Sequence, residues 1–184
     1  MPPADAKARA RLRDIIAERS LTRGQFKLAS GGESNIFFDM KTTLLDPEGA
    51  LLTGTLIVDM LGDEKVDAIG GLVLGACPVV SAVCMKSAER GRPIPGFYVR
   101  KEPKGRGTNK LIEGNLEPGW RVVVVEDVTT EGNSALRAVR AVREQGCTVA
   151  KVVTVVDRLQ GARENLKSEG LDLAALFTRD DFSV

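Results

Sequence analysis

The sequence predicts an α/β fold in which helices cover both faces of a mainly parallel sheet. The clearest observation is a strand, a helix and a strand in succession: a β-branched run at Val122–Val125, an Ala/Leu/Val-patterned segment at Ala135–Glu144 and an apolar run at Ala150–Val156. Strands that are joined through a helix lie parallel in one sheet. The chain has 184 residues, is 43% hydrophobic and contains no repeat and no Pro/Gly/Ser-rich linker, so we expect a single domain over residues 1–184.

The other segments continue this alternation of helix and strand. The spacing of apolar residues predicts a first helix over residues 5–19. Asp46 and Pro47 are typical N-cap and first-turn residues, which predicts a second helix that ends near Leu61. Lys101–Lys110 has no apolar periodicity and four basic residues in ten positions, so we expect a mobile surface loop there. Further predicted elements are a buried strand at Val66–Leu74, a helix at Val79–Glu89 and a short strand at Gly96–Arg100.

The composition excludes several classes of site. Lys and Arg number 26 against 25 Asp and Glu, and a net charge of +1 gives no overall attraction to nucleic acid or to a membrane surface. The chain has no histidine, which excludes Ser-His-Asp triads, Cys-His pairs and His-ligated metal sites. Cys77, Cys84 and Cys147 form no C-x-x-C pair, so we expect reduced and mostly buried thiols. With no apolar run of about 20 residues, these features predict a cytoplasmic protein.

A polar segment, Glu126–Ala135, follows the strand at Val122–Val125 and leads into the next helix. Parallel sheets bind ligands beyond the carboxyl ends of their strands, and the free N–H groups at the start of a helix bind anions. Gly132 permits a close backbone approach, and the acids Glu126 and Asp127 can accept hydrogen bonds from sugar hydroxyls or assist a hydrated magnesium ion. The pattern therefore indicates a phosphate site, and an ordinary capped turn is the alternative. The glycine spacings of dinucleotide and Walker sites are absent.

The segment Val122–Ala135, VVVVEDVTTEGNSA, resembles the phosphoribosyl pyrophosphate (PRPP) signature of type I phosphoribosyltransferases. Tyr98–Gly105 is similar to the flexible loop of the orotate phosphoribosyltransferases within that family. Leu28–Gly31 and Phe37–Asp39 resemble the orotate-side segment of the same group, and Val155–Arg158 matches the place of its orotate-contacting arginine. The resemblance runs from about residue 26 to residue 182, with the blocks in the same order.

This resemblance implies reversible transfer of ribose 5-phosphate from PRPP to orotate, which gives orotidine 5-phosphate and pyrophosphate in UMP biosynthesis. It implies a type I phosphoribosyltransferase fold with a small hood, mainly from about residues 1–45 with a C-terminal contribution, and a flexible catalytic loop at about residues 100–113. Mg²⁺ is expected to be held mainly through PRPP, without a dedicated protein ligand. The resemblance also implies a homodimer in which the loop of one subunit, with Lys101 in it, closes over the active site of the other.

Roles for single residues are carried over by position. Glu126 and Asp127 are expected to bind the ribose hydroxyls. The cations of the basic loop are expected to bind pyrophosphate, because clustered positive charges stabilise it, and a solvated basic loop is the alternative. For the two adjacent phenylalanines, core packing is the alternative to contact with orotate. The remaining assignments are Thr129, Thr130, Glu131, Gly132, Asn133 and Ser134 around the 5-phosphate; Phe37, Phe38, Thr130 and Arg158 for orotate; and Arg100, Lys101, Lys104 and Arg106, with Asp127, for catalysis.

The chain departs from the family pattern in two places. Arg106 stands where the family usually has a histidine, and a guanidinium neutralises phosphate charge but does not exchange protons near neutral pH. We therefore expect the loop to act electrostatically. Lysines that some members carry are absent from Gly75–Pro78 and from the position of Ala29, so Gly75–Cys77 is expected to offer backbone contacts at most.

Two other functions remain open on this pattern. A type I transferase that acts on a purine would share the PRPP site but would lack the aromatic pair and the basic loop. A non-catalytic PRPP-sensing regulator would keep the phosphate loop and lose or reuse the catalytic cations. The near-zero net charge and the lack of a nucleic-acid-binding appendage disfavour the regulator.

Overall fold

Residues 3–27, 33–103 and 110–182 are described by the computed structural model, and they form two sheets and six α-helices. The strands are β1 (Leu21–Lys27), β2 (Glu33–Phe38), β3 (Ala68–Leu72), β4 (Gly96–Val99), β5 (Ile112–Gly114), β6 (Arg121–Thr129), β7 (Thr148–Asp157) and β8 (Leu173–Thr178). The helices are α1 (Pro3–Arg19), α2 (Lys41–Leu44), α3 (Pro47–Leu61), α4 (Ala76–Glu89), α5 (Asn133–Glu144) and α6 (Ala162–Ser168), and a 3₁₀ helix follows at Arg179–Phe182.

The larger sheet has the strand order β5-β4-β3-β6-β7-β8, and every neighbouring pair is parallel except β4 and β5. This confirms the predicted α/β architecture. β6 and β7 pair as far as Thr129 opposite Asp157, where both strands end. The residues that follow the two strands therefore emerge side by side at one edge of the sheet, where ligands bind in such folds.

Helices bury both faces of the sheet. In β6, Val123 and Val125 pack in a cluster with α1, α3 and α4, whereas Val122 and Val124 pack in a cluster with α5 and α6. All four valines are 0% exposed. Burial on both faces explains why this strand is a continuous β-branched run and not an alternating one. The strand fixes the two predicted acids at its carboxyl-terminal end.

The predicted helix starts are confirmed at α3 and shifted at α4. The Asp46 side chain caps α3, because its Oδ1 accepts hydrogen bonds from the N–H groups of Glu48 (3.1 Å) and Gly49 (3.0 Å). α4 begins at Ala76, earlier than predicted, and includes Pro78 in its first turn. Proline is tolerated there because the first N–H groups of a helix have no intrahelical acceptor.

Several elements lie outside what the sequence pattern predicts: β1, β2, β5, α6 and β8. β5 corrects the expected extent of the loop at residues 100–113, because its Ile112 pairs with Val99 of β4. The buried strand expected at Val66–Leu74 is shorter and comprises Ala68–Leu72. β1 reads LTRGQFK, which lacks the apolar alternation that identifies a strand.

The β1–β2 hairpin forms a separate antiparallel sheet next to the 3₁₀ helix. The rings of Phe38 and Phe182 pack edge to face with their centroids 5.3 Å apart. Arg23 Nη2 donates a hydrogen bond to the carbonyl oxygen of Phe182 at 3.3 Å. The hood and the single-domain organisation stay predictions, and these contacts support a C-terminal contribution to the hood. Among the helices that the structure describes, none combines the length and apolarity needed to cross a bilayer.

The three cysteines are all free. Cys147 is buried and Cys77 and Cys84 are partly buried, which agrees with the expectation of reduced and mostly buried thiols. Both lie on α4, on sides that neighbouring residues cover incompletely. Partial burial still raises the pKa of both thiols, because it disfavours the thiolate.

Candidate active site

A cavity of about 230 Å³ lies where β6 ends and α5 begins. It is lined by Glu126, Val128 and the segment Thr129–Ala135, which include every residue assigned to PRPP except Asp127. β6 continues to Thr129, well beyond the predicted Val122–Val125. The sheet itself therefore holds both acids, and the loop between the strand and the helix forms the rest of the cavity.

Glu126 is 5% exposed, and its Oε2 atom has no hydrogen-bond partner. Its Oε1 accepts a long hydrogen bond, 3.4 Å, from the N–H group of Asp127. Burial raises the pKa of Glu126 well above its usual value, the Asp127 carboxylate raises it further, and the charge of Lys101 opposes both effects. A buried carboxyl oxygen without a donor is costly, so this atom is suited to a hydrogen bond from a ligand hydroxyl.

Asp127 lies next to the turn that begins α4. Its Oδ1 accepts a hydrogen bond from the N–H group of Val128 at 2.9 Å. A Cβ atom built on Gly75 would lie 2.4 Å from the same Oδ1, which is closer than real Cβ contacts. The turn therefore fits beside Asp127 because residue 75 has no side chain, and this places the start of Gly75–Pro78 against the acid pair.

The turn between β6 and α5 is built to leave N–H groups at the start of the helix free. Gly132 has φ +81°, a left-handed conformation that favours glycine, and α5 begins directly after it. Asn133 Nδ2 donates to Glu131 Oε2 at 2.9 Å, which fixes two side chains at the rim. The Oγ1 atom of Thr129 is buried without a partner. Free helix N–H groups and a donor hydroxyl are the features that a phosphate group requires.

Arg158 follows β7 and is 7% exposed. Its backbone N–H donates to the carbonyl oxygen of Thr129 (2.9 Å), and its Nη2 donates to that of Ile36 on the hairpin (3.0 Å). Burial lowers the pKa of the guanidinium, and the nearby charge of Arg179 lowers it further. The side chain therefore reaches from the edge of the sheet to the hairpin. Thr130 and Arg158, the two polar residues that the sequence assigns to orotate, directly follow the paired residues Thr129 and Asp157 at the ends of neighbouring strands.

The two adjacent phenylalanines point to opposite faces of β2, because successive side chains in a strand alternate. Phe38 is 6% exposed and packs on Phe182 in the core. This packing favours the alternative of a core role for Phe38, and its assignment to orotate stays a prediction. Phe37 is 42% exposed, with its ring centroid 5.5 Å from that of Phe26, so its ring is the more accessible of the two. Its assignment to orotate is a prediction as well.

The basic loop is described at its two ends. Arg100 Nη1 lies 3.6 Å from a carboxylate oxygen of Glu113. Arg137, on α5, donates from Nη2 to the carbonyl oxygen of Lys101 at 2.6 Å. Lys104 and Arg106 lie outside the described residues, as do Leu28–Gly31 of the orotate-side segment and Gly105.

Comparison with known families matches residues 45–171 to the phosphoribosyl transferase domain. An orotate phosphoribosyltransferase from Rhodopseudomonas palustris (strain BisB5) is 47% identical over 179 residues, which cover 95% of this chain and 96% of that protein. The chain belongs to the orotate phosphoribosyltransferase family.

Solved structures agree with this family. The crystal structure of Mycobacterium tuberculosis H37Rv orotate phosphoribosyltransferase in complex with Fe(III) dicitrate superposes with a TM-score of 0.85 at 40% identity, over 96% of this chain and 99% of that chain. The complex of the same Mycobacterium protein with PRPP gives a TM-score of 0.81 at 38% identity, over 96% and 99% of the two chains. The type I phosphoribosyltransferase fold and the orotate family predicted from the sequence are confirmed.

Phosphoribosyltransferases generally depend on Mg²⁺. Over the described ranges, no group of three or more Asp, Glu or Cys side chains could hold a metal ion by itself. The donors beside the cavity are the adjacent carboxylates of Glu126 and Asp127, one of them with an unpartnered oxygen. Mg²⁺ keeps several waters and uses one or two carboxylates together with substrate phosphate oxygens. The carboxylates of Glu126 and Asp127 fit an ion of that kind.

Sequence reasoning names Gly75 only for backbone contacts, and it misses two residues of α6 that bond beside the cavity. Gly75 matters through the space that it leaves for Asp127, and nothing in the local sequence shows that contact. Arg163 and Asn165 on α6 bond to residues next to the site, but they read as ordinary surface polar residues of a short helix. The sequence pattern does not predict α6. A helix predicted there, after the strand at Ala150–Val156, would have placed these two residues near the ends of the strands.

Replacing Gly75 with alanine is expected to raise the KM for PRPP about tenfold, because the new Cβ displaces the Asp127 carboxylate and misplacement of a reacting group is costly. Gly75 has φ −58°, which alanine adopts readily, so the thermal midpoint should not fall by more than a few degrees. Steady-state kinetics and thermal unfolding check both statements. An unchanged KM for PRPP would show that Asp127 tolerates the displacement or has no role in binding.

Proposed function

We propose that the protein transfers ribose 5-phosphate from PRPP to N1 of orotate and releases pyrophosphate. The observation that carries the proposal is the buried, unpartnered Oε2 of Glu126 at the cavity between β6 and α5. The same cavity presents the polar segment Thr129–Ser134, and Arg158 follows the neighbouring strand. A sugar hydroxyl, a phosphate group and a carboxylate each find a matching partner in this arrangement.

The residues of the chain act in this mechanism by positioning and by charge. The anomeric carbon gains positive character while the pyrophosphate leaving group gains negative charge, so cations aimed at the leaving group lower the barrier. Arg100, Lys101, Lys104 and Arg106 are the cations that the resemblance assigns to the pyrophosphate. Each charged hydrogen bond contributes about 1.5–3 kcal/mol. Bound Mg²⁺ would add charge neutralisation on the pyrophosphate, with Glu126 and Asp127 as the nearby carboxylates.

An assay with separate bases tests the proposed reaction. The protein is incubated with Mg²⁺, PRPP and either orotate, adenine, guanine or hypoxanthine, and base consumption and pyrophosphate release are followed. We expect consumption of orotate alone, with one pyrophosphate released per orotate. Turnover of a purine would favour the purine-type transferase, and binding of PRPP without turnover of any base would favour the regulator.

The exchange of Arg158 for lysine is expected to raise the KM for orotate about tenfold and to leave the KM for PRPP within about twofold, because lysine cannot reproduce a bidentate fork to a carboxylate. Arg140→Lys is the matched control, since Arg140 is an exposed arginine of α5 that pairs with Glu169 away from the site. Equal rises in both KM values would identify Arg158 as a structural arginine.

We further propose that the protein is a homodimer with active sites shared across the interface. Leu45, Leu74 and Met85 are 74%, 66% and 68% exposed, and they lie around one groove of about 460 Å³ with a mainly apolar lining. Large exposed apolar groups clustered in this way are typical of protein contacts. Leu74 directly precedes Gly75, which touches Asp127. A second copy of the chain on this groove would therefore lie next to the active site.

A further inference from the structure

The helix α6 is bonded to the loop that forms the phosphate side of the cavity. The N–H group of Ala162 donates to the carbonyl oxygen of Thr130 at 3.1 Å. Asn165 Nδ2 donates to the carbonyl oxygen of Glu131 at 2.8 Å. These bonds fix two successive peptide groups of the loop just before its helix begins. The direction of the free N–H groups that follow depends on these peptides.

The same helix is bonded to the turn that carries Arg158. Asp157 is 0% exposed, and its two oxygens have different donors: Arg163 Nε on Oδ2 at 2.8 Å and the N–H group of Leu159 on Oδ1 at 2.9 Å. Arg163 Nη1 also donates to the carbonyl oxygen of Leu173 in β8 at 3.0 Å.

The turn is strained on one side of Arg158 and buried on the other. Leu159 has φ +56°, a left-handed conformation that is unfavourable for leucine and persists only when its surroundings hold it. The carboxylate of Asp157 holds it through the Leu159 N–H group, and Arg163 neutralises that buried carboxylate. Arg158 is the residue between them, so its backbone is fixed by a bond that begins on α6.

We propose that Arg163 and Asn165 are positioning residues of the transferase, Arg163 for the orotate end of the site and Asn165 for the PRPP end. The inference rests on the proposed roles of Arg158 and of the segment Thr129–Ser134. Both side chains are exposed at the helix surface, yet their polar groups bond to buried or backbone partners beside the site. Small displacements of groups that hold substrate reduce catalysis strongly. α6 thus positions the orotate end of the site through Arg163 and the PRPP end through Asn165.

Two variants separate these roles. Arg163→Lys keeps a positive charge beside Asp157, but one ammonium cannot reproduce the two directed bonds of the guanidinium, so the KM for orotate is expected to rise about fivefold and the KM for PRPP to stay within about twofold. Asn165→Ala removes the bond to the Glu131 carbonyl, and it is expected to raise the KM for PRPP about fivefold with the KM for orotate within about twofold.

Lys167→Ala is the matched control on the same helix, because it breaks an ion pair with Asp172 (3.0 Å) whose side chains are 74% and 81% exposed. Both KM values of this control are expected to stay at wild-type level, and thermal midpoints are measured for all variants. If the two test variants move both KM values together, or move neither, α6 merely supports the fold and the proposal is overturned.

The experiment also separates this proposal from the proposed function. A wild-type protein that does not consume orotate shows that the function itself is wrong. The affinity of Asn165→Ala for PRPP, measured by calorimetry, then still tests whether Asn165 positions the PRPP end of the site. Weaker binding than that of the wild type supports this role, and equal binding rejects it. If Arg163→Lys fails to fold, the affinity of Asp157→Asn for orotate is measured by calorimetry instead. We expect weaker binding than that of the wild type, and equal binding would contradict the positioning role of Arg163.

Discussion

Asp127→Asn is expected to lower kcat/KM for PRPP about 10- to 100-fold while the protein stays folded. A charged hydrogen bond contributes about 1.5–3 kcal/mol, and each 1.36 kcal/mol is a factor of ten in rate. The asparagine oxygen can still accept from the Val128 N–H group, so the local structure should persist and the loss should fall on the ligand. Steady-state kinetics, calorimetric PRPP affinity and the thermal midpoint together measure the effect.

Asp172→Asn provides the control for this change. Asp172 is an exposed aspartate whose described ion pair is with Lys167, far from the acid pair in the fold. Its kcat/KM for PRPP is expected to equal that of the wild type. PRPP affinity and activity of Asp127→Asn within about twofold of wild type would remove Asp127 from the site, because the loss of a charged contact normally costs more than 1 kcal/mol.

Mixing Lys104→Ala with Asp127→Ala, each expected to be nearly inactive alone, should restore about a quarter of wild-type activity in a shared-site homodimer. Random exchange makes half of the dimers mixed. Each mixed dimer then has one site with an intact Asp127 from its own subunit and an intact Lys104 from its neighbour, while its second site carries both defects. Activity is measured before and after subunit exchange, and the exchange itself is verified by mass-tagged subunits.

The same mixture made with Lys101→Ala provides a second pairing, because the resemblance implies that Lys101 lies in the loop that closes over the neighbouring site. We expect the same recovery to about a quarter of wild-type activity. If the loop acts within its own subunit, every site of every dimer lacks one group and neither mixture recovers. No recovery with either loop variant after proven exchange would reject the shared site.

The part of the site between Glu126 and Ser134 could be predicted from the sequence because its determinants are local. A doubly buried strand, two acids, a glycine with φ +81° and a helix start follow one another within one βαβ unit, and each has a recognisable sequence pattern. Arg158 was assigned by resemblance, and its place at the end of the neighbouring strand follows from the pairing of β6 with β7.

The remaining features depend on contacts between distant parts of the chain. The clash that excludes a side chain at Gly75 involves Asp127. The opposite orientations of Phe37 and Phe38 follow from strand periodicity, but β2 itself has too little apolar alternation to be recognised. Its Phe38 ring is buried against Phe182, a residue that local patterns cannot connect with it.

The ring contact between Phe38 and Phe182 also bears on how the protein is made. During synthesis the β1–β2 hairpin leaves the ribosome before any strand of the central sheet, whereas Phe182 follows all six of those strands in the chain. A hairpin of two strands is at best marginally stable by itself in water. The nascent hairpin therefore lacks its aromatic partner until the whole sheet has emerged, and we expect the hairpin, with Phe37 on it, to reach its final packing late in folding.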